Sequence, residues 1–180
     1  MIQRAVMPMN ARVLMTVEEY LRTPFDDADR DYVDGEVVER NMGELPHATL
    51  QIELAHMLRN LAHALGIRVL TEIRIQVAAT RFRVADIAVW RAGPIGRRIP
   101  TVPPFLVVEI LSAEDRLVRP QPKIREYLAH GVEWVWVIDP DERRALSYSP
   151  TDVGGTLVDE LRTQNPDITV PLSDLFATLD

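Results

Sequence analysis

Two apolar segments of the chain each carry a single carboxylate. In "VADIAVW", Val84 to Trp90, it is Asp86; in "FLVVEIL", Phe105 to Leu111, it is Glu109. The neighbours two positions away on the same face are apolar too, so neither segment alternates in a way that would send its acid to water. A carboxylate in such a place is costly unless it is paired, protonated or bound to a metal. Singly, each acid suits an ion pair with Arg74 or Arg83, or a strand end that reaches solvent. Together, two acids on adjacent strands could bring their oxygens to one divalent cation. A third residue stands out by composition: Lys123 is the only lysine in the chain, against nineteen arginines. Tyr127 lies at i, i+4 from it, on the same face if the segment is helical, a spacing equally compatible with plain packing.

The surrounding sequence must supply elements that hold these side chains. "DYVDGEVVER", residues 31–40, reads as two short strands around the turn Asp34-Gly35, both of which tolerate positive φ. From Ala48 to Leu65 the residues Leu50, Leu54, Met57, Leu58, Leu61 and Leu65 recur at helical spacing, and Gly66 supplies the stop. "IRVLTEIRIQVA" and "FRVADIAVW" are β-rich and joined by a short polar link. Prolines and glycines from Pro94 to Pro104 break the chain before "FLVVEIL". A short helix over Lys123 to His130 ends at Gly131. "EWVWVIDP" is a further buried strand, with Asp139 as a turn residue before Pro140. The tail from Arg143 to Asp180 reads as one or two edge strands and a short helix over Ser173 to Thr178. The order indicates an α/β (α+β) fold, a central mixed β-sheet flanked by helices. Residues 1–14 are expected to form a frayed tail and residues 15–180 a single domain.

Composition limits the functional classes. The chain has 180 residues, 47% hydrophobic and 26% charged, the proportions of a globular protein. Its longest apolar runs are about seven residues, so no membrane span is expected. The absence of cysteine excludes a disulfide framework and a thiolate metal site and fits a reducing cytoplasm. The formal charge of −7 argues against non-specific coating of nucleic acid, but the charge is uneven. Arg74 to Arg125 contains ten basic and four acidic residues, net +6, against −13 for the rest. That suits a local polyanion-binding face or, equally, arginines solvated around the surface.

"VADIAVW", "LVVEILS", a lysine followed four residues on by a tyrosine, and "GVEWVWVIDP" together resemble the restriction endonuclease family of Uma-two type. That family is a branch of the PD-(D/E)XK nuclease superfamily. The similarity begins near "MTVEEYL" and runs through "YVDGEVVE" and His47 to the strand ending at Asp139. The resemblance implies a restriction-endonuclease-like fold and a Mg²⁺-dependent endonuclease acting on DNA, with Mn²⁺ as a substitute. It implies that Asp86 and Glu109 hold the metal and that Lys123 works on the attacking water. Phosphodiester hydrolysis needs the phosphate neutralised, the water's pKa lowered and the leaving oxygen stabilised, which a divalent ion can supply. Lysine can orient or deprotonate water where arginine stays protonated. The chain departs from the family pattern at Ala85, where a proline is usual, and at Leu111, where the superfamily lysine would stand; Lys123 occupies the place to which it has moved. Arg119, where an acid is usual, points to the alternative of a catalytically silent nucleic-acid-binding or regulatory module.

Glu36, His47, Glu72 and Tyr127 are further candidates to line the same cleft, as partners of the ligands or as substrate contacts. Glu36 and Glu72 equally suit surface positions, and His47 a helix-end surface site. A homodimer is expected, since cutting both strands of a duplex with one site per chain is simplest with two-fold symmetry.

Overall fold

The computed structural model describes residues 14–25, 30–40, 44–112 and 121–180. Residues 1–13 of the expected tail, and Arg116 and Arg119, lie outside the described residues.

Helix α1 (Val17–Arg22) opens on a reciprocal cap. Thr16 Oγ1 accepts from the Glu19 N–H, and the Glu19 carboxylate accepts from the Thr16 N–H. Strands β1 (Asp31–Val33) and β2 (Glu36–Val38) form the expected hairpin, Val33 opposite Glu36. Its turn needs positive φ at Asp34 and Gly35, and a Cβ on Gly35 would meet Leu14 at 2.9 Å. Helix α2 (Leu45–Leu65) begins three residues ahead of the apolar periodicity, with Pro46 in its first turn, where its missing N–H costs nothing. Strands β3 (Ile67–Ala78) and β4 (Arg81–Arg91) form a long antiparallel pair. Then follow β5 (Leu106–Ile110), helix α3 (Gln121–His130) and β6 (Trp134–Asp139), with β5 and β6 parallel.

The tail holds more strand than its sequence announces. Strands β7 (Arg144–Ser149) and β8 (Asp152–Val158) extend the main sheet, and β9 (Glu160–Thr163) pairs with β10 (Ile168–Pro171) before helix α4 (Leu172–Phe176). These strands are short and carry polar residues on an exposed side, so their apolar pattern is weak.

The main sheet has eight strands in the order β2-β1-β4-β5-β6-β7-β8, with β3 on the other edge of β4. It is mixed, as expected. One layer of core lies between the sheet and α2 with α4, built on Leu50, Leu54, Leu58, Ile87, Val108, Trp136 and Phe176. A second lies under α3, with Ala88, Val107, Ile124, Tyr127 and Val137. Tyr20, Tyr32 and Phe82 make a third cluster under α1. Among the described residues no helix is long and apolar enough to cross a membrane.

Candidate active site

Strand β4 gives one edge wholly to β3, so β1 and β5 must share the other. β1 takes it at Arg81 and Phe82, and β5 takes it from Ile87 to Val89. Between those contacts the sheet is split, and the freed backbone groups find side chains instead. The Val84 N–H donates to Asp31 Oδ1 at 2.8 Å, and the Val84 carbonyl accepts from Lys123 Nζ at 2.9 Å. On the β5 side the Ile110 N–H donates to Asp86 Oδ2 at 2.7 Å.

Asp86 and Glu109 both stand at this split, each one step beyond the Ile87–Val108 pair. They are 2% and 7% exposed. Asp86 is reached from the α2 side: Arg40 Nη2 donates to its Oδ1 at 2.6 Å, and His47 Nε2 lies 3.4 Å from its Oδ2. Glu109 is reached from α3: Lys123 Nζ donates to Oε2 at 2.7 Å and the Tyr127 hydroxyl to Oε1 at 2.8 Å. The i, i+4 spacing of Lys123 and Tyr127 thus aims both side chains at one carboxylate.

Glu72 shares a rung with Asp86, between the pairs Thr71–Ile87 and Ile73–Ala85. Its backbone is left-handed, φ 48°, in the middle of a strand. Leu70 and Ile73 pack on the same core although three residues apart, and so do Ala85 and Ala88 opposite them. Both strands therefore switch face at this rung, which re-aims the two acids as a bulge does. The Glu72 carboxylate accepts from Arg40 Nη1 at 2.5 Å and from Gln51 Nε2 at 2.6 Å, and the same Gln51 nitrogen reaches the Asp86 carbonyl at 3.0 Å.

Of the sequence candidates, Asp86, Glu109, Lys123, Tyr127, His47 and Glu72 meet in this cluster. Glu36 does not join it: it stands exposed on β2 beside the turn, and the contacts from that end of the chain run through Arg40. Arg40 and Gln51 carry no sequence signal, one closing a hairpin and the other lying on the polar side of a helix. The acids are paired, but not with Arg74 or Arg83. Arg83 goes to Asp31 and Glu126, and Arg74 stacks over the Tyr20 ring. Much of the basic middle is likewise spent internally, with Arg81 on Asp34 and Glu126 and Arg91 on Glu133.

Burial pushes the Glu109 carboxyl up to about 7, against the pull of the Lys123 ammonium and with the help of the Asp86 charge. Burial also works on Asp86, but the hydrogen bond from His47 and the charges of Lys123 and Arg40 outweigh it and hold that carboxyl below its ordinary value. Lys123 resists burial through the carboxylates of Glu109, Asp31 and Asp86, which keep its pKa raised. Within the pair the ammonium is the lasting charge and Glu109 is the group that titrates. His47 is opposed by burial, yet Asp86 and Glu72 raise it. Burial and the Glu109 charge push the Tyr127 phenol well above its ordinary value, leaving it a donor.

Three carboxylates here face two cations, Arg40 and the protonated Lys123, so one negative charge remains while His47 is neutral. Among the described residues no three His, Asp or Glu side chains already form a metal cage. The donor set nonetheless suits a hard divalent cation: buried carboxylate oxygens with charge to spare, one of them raised to about 7 by its burial.

The family model "Uma2", described as putative restriction endonuclease, matches residues 17–179. A crystal structure described as a putative nuclease belonging to DUF820, from Anabaena variabilis, superposes with a TM-score of 0.80 at 22% identity, over 92% of this chain and 99% of that one. Its fold is this chain's fold. No match is found among curated proteins.

Proposed function

The chain belongs to the Uma2 family of restriction-endonuclease-like proteins, and from that premise we propose that it is a Mg²⁺-dependent endonuclease that hydrolyses phosphodiester bonds in DNA. Mn²⁺ would substitute. The observation that carries this reading is the meeting of Asp86 and Glu109 at the split between β4 and β5, with Lys123 Nζ 2.7 Å from Glu109.

Asp86 and Glu109 would hold the cation. When bound, it supplies the charge that neutralises the phosphate, acidifies a water and stabilises the leaving oxygen. In the hydrolysis the water oxygen bonds to phosphorus, one P–O ester bond breaks and the departing oxygen is protonated. Tyr127 fixes the rotamer of Glu109 through Oε1 while Lys123 holds Oε2. Lys123 is protonated in the metal-free protein because Glu109, Asp31 and Asp86 support its charge. Whatever draws off the Glu109 charge weakens that support, so the lysine becomes able to give up its proton and then orient or deprotonate a water. The Val84 carbonyl holds the amine in the split while this happens. His47 and Glu72 border Asp86 and would tune its charge.

The domain is taken as residues 15–180, working as a homodimer in a reducing cytoplasm, on the grounds of two-fold duplex symmetry and the lack of cysteine. One observation favours a second reading, a silent nucleic-acid-binding or regulatory module. All four oxygens of Asp86 and Glu109 already have protein donors. Supercoiled plasmid incubated with Mg²⁺ or Mn²⁺ separates the two. Nicking by the wild type, absent in chelator and in Asp86→Ala, is expected; an intact plasmid at every metal concentration would select the silent module.

A further inference from the structure

Arg40 Nη1 donates to Glu72 Oε2 at 2.5 Å while Nη2 donates to Asp86 Oδ1 at 2.6 Å. The Arg40 side chain is 17% exposed. Its fork does not grip one carboxylate but straddles two, on neighbouring strands. The acceptors look built for it. Glu72 is held in a left-handed backbone at mid-strand, a conformation that costs on the order of 1–3 kcal/mol and persists only where its surroundings enforce it. Gln51 fixes the other Glu72 oxygen and, through the Asp86 carbonyl, ties both acids to α2. On Asp86 the two oxygens have different duties. Oδ2 caps the backbone of β5 and faces His47, whereas Oδ1 accepts from Arg40. Oδ1 is thus the oxygen that can change partner without opening the sheet.

A monovalent cation fixed between the buried Asp86 carboxylate and the half-exposed Glu72 carboxylate is a counterion in the position a divalent one would take. We infer that Arg40 is a tethered competitor of the metal: it neutralises Asp86 and Glu72 in the metal-free protein, and a divalent cation binds by taking Asp86 Oδ1 from it. The inference rests on the reading of Asp86 as a metal ligand and adds what limits the affinity. Arg40 keeps Glu72 through Nη1, so exchange needs only the Nη2 contact to open, and the displaced cation remains at the rim of the site. A positive charge left there repels the incoming ion, so both loss of Oδ1 and charge repulsion hold the metal affinity down.

Titration calorimetry with Mn²⁺ alone tests this on the full chain. Arg40→Met should bind Mn²⁺ at least about tenfold more tightly than wild type, about 1.4 kcal/mol, while melting lower without metal because the buried Asp86 has lost its cation. Free guanidinium at low millimolar concentration should weaken Mn²⁺ binding to Arg40→Met and leave the wild type unchanged, which a merely structural arginine would not produce. Should Arg40→Met fail to fold, Arg40→Lys decides, since it keeps the charge but cannot fork; it should bind a few-fold tighter than wild type. Unchanged or weaker binding in the folded variant overturns the competition while sparing the metal reading, provided the wild type binds and Asp86→Ala does not. No binding in any form, wild type included, overturns both.

Discussion

Lys123 lies in the first turn of α3, and from there its Nζ joins Glu109 Oε2 to the Val84 carbonyl, so the only lysine in the chain closes the gap between β4 and β5. A solvated helix residue would have neither contact. An arginine at this place would bring a wider, planar group into a split sized for an ammonium, and it could not surrender a proton.

Lys123→Arg should therefore lower the cleavage rate by about 10²- to 10⁴-fold, the usual worth of one positioned proton-transfer group, with metal affinity little changed. Plasmid-nicking kinetics beside Mn²⁺ calorimetry check this. A wild-type rate in the variant would leave Lys123 without a special role.

Tyr127→Phe removes one oxygen and nothing else. The Glu109 Oε1 it served is buried, so the lost hydrogen bond should cost about 1–3 kcal/mol of stability. Glu109 would also become free to rotate, and cleavage should slow. Denaturant unfolding measures the first effect and nicking the second; a variant as stable and active as wild type would remove Tyr127 from the site.

Glu109 gives the metal-free protein a pH dependence of definite sign. Its carboxyl titrates at about 7 when folded and near its ordinary 4.5 when unfolded. Below 4.5 both states are protonated and the folded state's preference for the proton is fully expressed; as pH rises through 7 that contribution is lost. The loss is on the order of 3 kcal/mol. Stability of wild type relative to Glu109→Gln should fall between pH 4.5 and 7, as followed by urea unfolding without metal. Metal affinity should run the other way, rising over the same interval because the ligand must be ionised. A pH-independent difference between the two proteins would contradict the raised carboxyl.

Glu126 holds α3 in place. Its Oε2 accepts from Arg83 Nε at 2.6 Å, and its Oε1 from Arg83 Nη2 at 3.1 Å and Arg81 Nη1 at 3.0 Å. Glu126→Ala leaves the buried Arg83 to Asp31 alone, at a cost of about 3 kcal/mol, and loosens the helix that carries Lys123. The melting temperature and cleavage rate should both fall, while Mn²⁺ affinity stays near wild type. Loss of metal binding instead would mean that Glu126 supports Asp86 or Glu109 directly.

The sequence displayed the parts of this site that break a local pattern. Asp86 and Glu109 were visible because each interrupts an apolar strand, Lys123 because it is the sole lysine, and the hairpin and α2 because turn chemistry and helical periodicity are local signals. What it hid was long-range. Arg40 meets Asp86 across 46 positions, and nothing at the end of "VVER" distinguishes it from a solvated arginine. Glu72 was legible only as a charge in a strand, since the left-handed backbone that re-aims it is enforced by the rung it shares with Asp86. Helix α1 went unread, although Thr16 and Glu19 stand at the spacing of a capping pair. Of strands β7 to β10 only one or two edge strands could be read, because short strands with one exposed side leave little apolar alternation.

The claim on which all of this depends is that a divalent cation sits at the split between Asp86 and Glu109. Paramagnetic broadening by Mn²⁺ in a ¹⁵N-labelled sample locates the ion without reference to activity. The amide signals of Ile87, Ile110 and Glu72 should vanish at the lowest Mn²⁺ additions, and Asp86→Ala should keep them sharp. Broadening that begins elsewhere, with those three amides unaffected, would contradict the metal site and the nuclease mechanism built on it.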